Sequence, residues 1–125
     1  MTLLEIASKI NNVLAASPVF VHCVCMHEYS IRIELHAFSV QIETGVVIVW
    51  KDGTKVLVNA DYRLRTEGSF SILRLIGCRV LSCRFDKTNS LVFAGAGGES
   101  VRCIAVDPVE SYVVCGLAEG PLCLP

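Results

Sequence analysis

Charge is scarce in this chain. Only 18% of its residues are charged while 53% are apolar, against the ~25% charge of an average soluble domain. Neither sign dominates: eleven basic and twelve acidic residues leave a net charge of −1. Without a Lys/Arg stripe nothing steers a polyanion, which argues against nucleic acid as a partner. Long apolar runs are missing as well. The longest, Val46-Val47-Ile48-Val49-Trp50, falls far short of the ~20 residues a spanning helix needs, so no membrane partner is expected. Glu5 and Lys9 interrupt the segment where a signal peptide requires unbroken apolar residues, which points to the cytoplasm. Repeats, low-complexity tracts and linkers are absent too, so residues 1–125 read as a single domain.

Cysteine, by contrast, is plentiful. Seven thiols is an odd number, scattered at 23, 25, 78, 83, 103, 115 and 123. In a reducing compartment they read as small buried hydrophobes rather than bridges.

The first element reads as a helix over roughly 3–16. Thr2 and Glu5 have capping-box spacing, and Leu3, Ile6, Ala7, Ile10, Val13 and Leu14 draw one apolar stripe. Pro18 stops it, because proline disfavours a helical residue before it. From Val19 the period becomes two. Val19 to His27 and Ile31 to Leu35 alternate as strands, and a change of phase near His36-Ala37 places a tight turn before Phe38, Val40 and Ile42. Val46 to Trp50 and Val56 to Val58 form a hairpin whose Asp52-Gly53 pair suits a type I′ turn, with positive φ at both central residues. Ser69 to Ile76 reads as a short helix closed by Gly77. Strand patterns resume at 80–85, 91–93, 101–104 and 112–114. The fold class is α+β: an antiparallel, hairpin-rich sheet of six to eight strands with an N-terminal helix and a short mid-chain helix.

The segment His22-Cys23-Val24-Cys25-Met26-His27 invites a metal or redox reading. On a strand, Cys23, Cys25 and His27 share a face. Neighbours at i and i+2, however, lie ~6.5–7 Å apart at Cα, and parallel side chains are expected to hold their sulfurs too far apart for zinc. Buried structural cysteines are the preferred reading, with Cys23, Cys25 and His27 as the only metal candidates. Cys78 and Cys83 have the wrong spacing to complete such a site. The run Ala94-Gly95-Ala96-Gly97-Gly98 lacks the following helix and lysine of a phosphate cradle and reads as a hairpin loop. No nucleophile elbow marks any residue, so no catalytic residue and no cofactor are assigned.

Surplus apolar content is more informative. Val46, Ile48 and Trp50 suit a central strand or a subunit-crossing edge. The tail, with Leu122 and Leu124, lacks lysine and arginine and is expected to dock on its own domain or on a neighbour.

The succession Leu75-Ile76-Gly77-Cys78-Arg79-Val80, Phe85-Asp86, Leu91-Val92-Phe93, Gly97-Gly98, Val101-Arg102 and Glu110-Ser111-Tyr112 resembles a group of small uncharacterised bacterial domains. Their shared pattern is L-x-G-x-x-V, D, L-x-F, G-G, V-R, E-S-Y. The resemblance covers residues 29–114, and the group includes candidate immunity proteins that block a cognate toxin. It implies a protein partner, with Glu110 and Tyr112 as the first shared surface to inspect.

The leading expectation is a small cytoplasmic binding protein without catalytic activity, a homodimer in which scarce charge leaves apolar surface for a second copy to cover. The first alternative is a small-molecule or enzymatic pocket using His36, Tyr62 or Tyr112. The second is a metal or redox protein using Cys23, Cys25 and His27.

Overall fold

The computed structural model describes residues 2–106, 112–116 and 122–124. Helix α1 spans Leu3–Ala16, and the Thr2 hydroxyl accepts a hydrogen bond from the Glu5 N–H at its start. The apolar stripe turns inward as its spacing requires: Ile6, Ala7, Ile10 and Leu14 are buried, and each large aliphatic member contributes about 1.5–3 kcal/mol by leaving water. Ser17 is extended ahead of Pro18 and ends the helix.

Among the described residues ten strands follow: β1 Val19–Met26, β2 Ile31–Leu35, β3 Ser39–Ile42, β4 Gly45–Val49, β5 Lys55–Asn59, β6 Arg79–Phe85, β7 Leu91–Gly95, β8 Ser100–Cys103, β9 Tyr112–Cys115 and β10 Leu122–Leu124. They form one sheet in the order β10-β9-β3-β2-β1-β6-β7-β8-β4-β5, and every pairing is antiparallel. The fold is the α+β class read from the pattern, with more strands than the six to eight expected. Among the described residues, no helix is long and apolar enough to cross a membrane.

Two register shifts at the centre bend this sheet. One lies in β1 between Val21 and Cys23, the other in β6 between Val80 and Ser82. Bulges of this kind sharpen local twist, and here they bring the two halves face to face. Phe38 of one half stacks on Phe93 of the other with ring centroids 6.2 Å apart. Val21, Ile33, Leu35 and Val40 meet Leu75, Val80, Phe93 and Val101 around a residual void of only about 20 Å³.

β1 pairs with β6 only through Val19–Val80 and Phe20–Arg79. Beyond Val80, β6 therefore lacks a strand on that side, and α1 fills the place. Its Asn11 side chain donates to the Cys83 carbonyl at 2.9 Å and accepts from the Cys83 N–H at 2.8 Å.

The mid-chain helix is a 3-10 helix, Glu67–Leu75. With three residues per turn, its side chains stack in straight rows. Ser69, Ile72 and Leu75 form the inward row, packed on β5 and β1. Gly77 follows with φ +88, the left-handed position expected of it. A shorter 3-10 turn, Tyr62–Leu64, precedes the helix. Arg65 anchors the segment between them: its guanidinium donates to the carbonyls of Asn59, Ala60, Ser30 and His27. It thereby ties the β1–β2 turn to the end of β5.

One turn differs from expectation. Gly53 has φ +91, but Asp52 is not in the positive-φ region, so the type I′ turn is absent. Trp50 accepts from the Gly53 N–H at 2.9 Å and donates to the Thr54 carbonyl at 2.8 Å, while the Asp52 carboxylate accepts from the Thr54 N–H. A three-residue loop with glycine in the left-handed place satisfies the same strand twist.

Candidate functional site

Three features could carry function, and each begins with a local rule of the sequence. The first is a face of thiols and imidazoles. Across the β1 bulge the inward residues run Val19, Val21, then Val24, so His22 and Cys23 both turn outward, followed by Cys25. The Cys23 and Cys25 sulfurs lie 3.6 Å apart, which corrects the expectation that their spacing holds them apart. Both thiols are half-buried, which also corrects their reading as buried core. The hydrogen bond with Cys23, helped by burial, pushes the Cys25 thiol above its ordinary range. His22 and His36 stand 5.4 Å apart by ring centroid, with Phe20 edge-on to His36. These imidazoles, with Arg32, Glu34, Ser39 and Cys115, line an open depression of about 390 Å³. His27 lies beyond the end of β1, exposed, with its backbone N–H given to Ser30. No three candidate ligands converge among the described residues, so His27 does not join the two sulfurs.

The second feature is a buried carboxylate. Glu99, 7% exposed, begins the return from the glycine-rich hairpin. A Cβ on Gly95 would collide with its Oε1, and one on Gly97 would lie 2.6 Å from its Oε2. The glycine run thus makes room for an anion, though the anion is the chain's own side chain. Its Oε1 is buried without a hydrogen-bond partner among the described residues, and so is the Trp50 Nε1. The Arg74 guanidinium lies 4.3 Å above the Trp50 ring, a cation–π contact. Together with Lys51, Asp52, Cys78 and Gly97 these residues line a cavity of about 360 Å³. Burial and then the charge of Glu99 push the Cys78 thiol up. Sequence reading missed this site because Glu99 stands in an ordinary turn, where only the glycines opposite it hint at the buried charge.

The third feature is apolar and exposed. In the 3-10 helix the row beside the buried one is Phe70 and Leu73, continued by Ile76, and they are 61%, 44% and 47% exposed. Tyr62 and Leu64 of the preceding turn and Leu57 of β5 are exposed as well. Tyr62 meets Tyr29 edge-on, with Arg63 over the Tyr29 ring.

The sequence-selected surface residues fall elsewhere. Val46 and Ile48 are fully buried and Trp50 nearly so, because β4 is an interior strand between β5 and β8. They belong to the core rather than to an accessible edge. Tyr112 is also fully buried and donates its hydroxyl to the Asn89 carbonyl at 2.8 Å. Neither an interface nor a pocket reading suits it. Glu110 lies outside the described residues. Leu122 and Leu124 pair through β10 with Val114 and Tyr112 of β9, which docks the tail on its own sheet. His36 and Tyr62 are exposed and do not share a cavity.

No known family, curated protein or solved structure matches this chain.

Proposed function

We propose that this chain is a non-enzymatic binding domain that pairs with a second copy of itself through the ridge Phe70, Leu73 and Ile76. The exposure of these three aligned apolar side chains is the observation that carries the reading. The row beside them already serves the core, so the ridge is surplus to folding. A two-fold axis is the ordinary symmetry of such a contact, and the helix is self-complementary about one. Pairing about such an axis is antiparallel and seats the apolar rows of the two copies on each other. Phe70 would then meet Leu73 across the axis.

The titration of the thiols supports the non-enzymatic part. Cys25, Cys78, Cys83 and Cys103 all shift upward, away from the thiolate that a nucleophile needs. The immunity-type role implied by the resemblance would use the same ridge against a different protein. Sedimentation equilibrium tests the choice. Self-association in the micromolar range that is abolished by Leu73→Glu supports this reading, and a monomer at every concentration overturns it.

A second reading, a small-molecule pocket, is favoured by the unpartnered Glu99 Oε1 and Trp50 Nε1, which pair a buried acceptor with a buried donor beside one cavity. Trp50 is the only tryptophan, so its fluorescence reports the cavity directly. Saturable quenching by small primary amines that is lost in Glu99→Gln would support the pocket, and no change in emission would count against it.

A further inference from the structure

We propose that Cys23 and Cys25 form a chelating dithiol for a zinc-class cation. The distance decides between the chemistries open to two thiols. Two thiolates on a tetrahedral ion with bonds of ~2.3 Å span an edge of about 3.8 Å, and the sulfurs here stand 3.6 Å apart. A linear two-coordinate ion would need them about 4.6 Å apart at the same bond length. A disulfide needs ~2.05 Å between sulfurs and Cα atoms no more than ~6.8 Å apart, and i, i+2 neighbours on a strand lie at that limit. The bent chelate therefore fits with the backbone where it is.

The surroundings suit an exchangeable ion rather than a structural one. The β1 bulge turns both thiols to the outer face, where they are half-buried. Their cross-strand partners are Glu34 for Cys23 and Arg32 for Cys25, and these two pair with each other at 3.1 Å. No third ligand converges among the described residues, so the remaining coordination positions belong to water. On binding, each thiol gives its proton to solvent, two sulfur–metal bonds form and the aqua ion sheds all its waters but the two that complete the tetrahedron, with no change in oxidation state. Affinity therefore rises with pH.

Titration of the reduced protein with cadmium, followed by thiolate-to-metal absorption in the ultraviolet, tests the site directly. The proposal expects one equivalent bound and competed away only by excess zinc, since soft thiolates favour cadmium, with at least about tenfold weaker binding in Cys23→Ser and in Cys25→Ser. Cys78→Ser and Cys115→Ser should bind as the wild type does. Circular dichroism should show all four variants folded, as expected for thiols outside the core. Absence of the band in the wild type, or its persistence in the Cys23→Ser/Cys25→Ser double variant, overturns the proposal. The result is independent of self-association, because Leu73→Glu should bind cadmium unchanged.

Discussion

Asn11 stands in for a missing strand beside Cys83. Its amide gives one hydrogen bond to the Cys83 carbonyl and takes another from the Cys83 N–H, at 2.9 and 2.8 Å, the pair of bonds a neighbouring strand would have supplied. The open side of β6 is thereby satisfied by a helix, and the sheet can splay at Val80 without leaving that buried backbone unpaired.

Asn11→Ala should therefore cost more than a surface helix substitution. It strands a donor and an acceptor together, at about 1–3 kcal/mol for each unsatisfied group. Urea unfolding should show a loss of at least about 2 kcal/mol, whereas Asn12→Ala, one position along and exposed, should fall within about 0.5 kcal/mol of wild type.

The glycine cradle predicts a coupling. Gly95→Ala places a methyl group against the Glu99 carboxylate and should destabilise the fold by about 1–3 kcal/mol through overpacking. In the background Glu99→Ala, which removes the colliding atoms, the same substitution should cost much less. A double-mutant cycle by thermal or chemical unfolding measures the difference, and purely additive effects would show that the two positions do not meet.

Arg65 offers a third test. Its planar fork serves four carbonyls from two separate turns, a geometry that lysine does not reproduce. Arg65→Lys should lower stability by about 1.5–3 kcal/mol and speed hydrogen exchange at Tyr62, whose N–H bonds the Glu28 carbonyl.

Alkaline stability follows from the buried thiols. Burial pushes Cys83 and Cys103 up from 9.0 to about 12. Because the folded state holds these protons more tightly than the unfolded state, the stabilisation is complete below pH 9. It is lost as pH rises towards 12, at about 1.4 kcal/mol per pH unit for each thiol. Cys103→Val removes one of these groups, so its stability should fall less steeply between pH 9 and 11 than that of the wild type. An unchanged slope in base-induced unfolding would contradict the assignment.

Much of this architecture was legible because local rules and tertiary packing agree. The stripe of α1, the alternation of β2 and the left-handed Gly77 all follow from spacing alone. The bulge after Val21 was not legible: the sequence Val-Phe-Val-His-Cys-Val-Cys-Met reads equally well as one unbroken alternation, and only pairing with β2 shows where the phase slips. That slip is why Cys23 and Cys25 turn outward instead of sharing the inward face of Val19 and Val21. The mid-chain helix was legible, but its inward row was not: rows repeat every three residues, and spacing alone does not tell Ser69, Ile72 and Leu75, which face the core, from Phe70, Leu73 and Ile76, which do not. The apolar run at Val46 left a central strand and a subunit-crossing edge both open, because the two share one composition, and pairing of β4 on both sides selects the central strand.

The most direct test of the pairing proposal is a charge exchange across the two-fold contact. Leu73→Glu alone sets a carboxylate against Phe70 of the other copy, and Phe70→Lys alone sets an ammonium against Leu73. Sedimentation of each variant should show weakened association, and an equimolar mixture should recover a dimer as the opposite charges meet between the two different copies. Recovery in the mixture is the predicted result. Equal association of both single variants and the wild type would contradict a contact built on this helix.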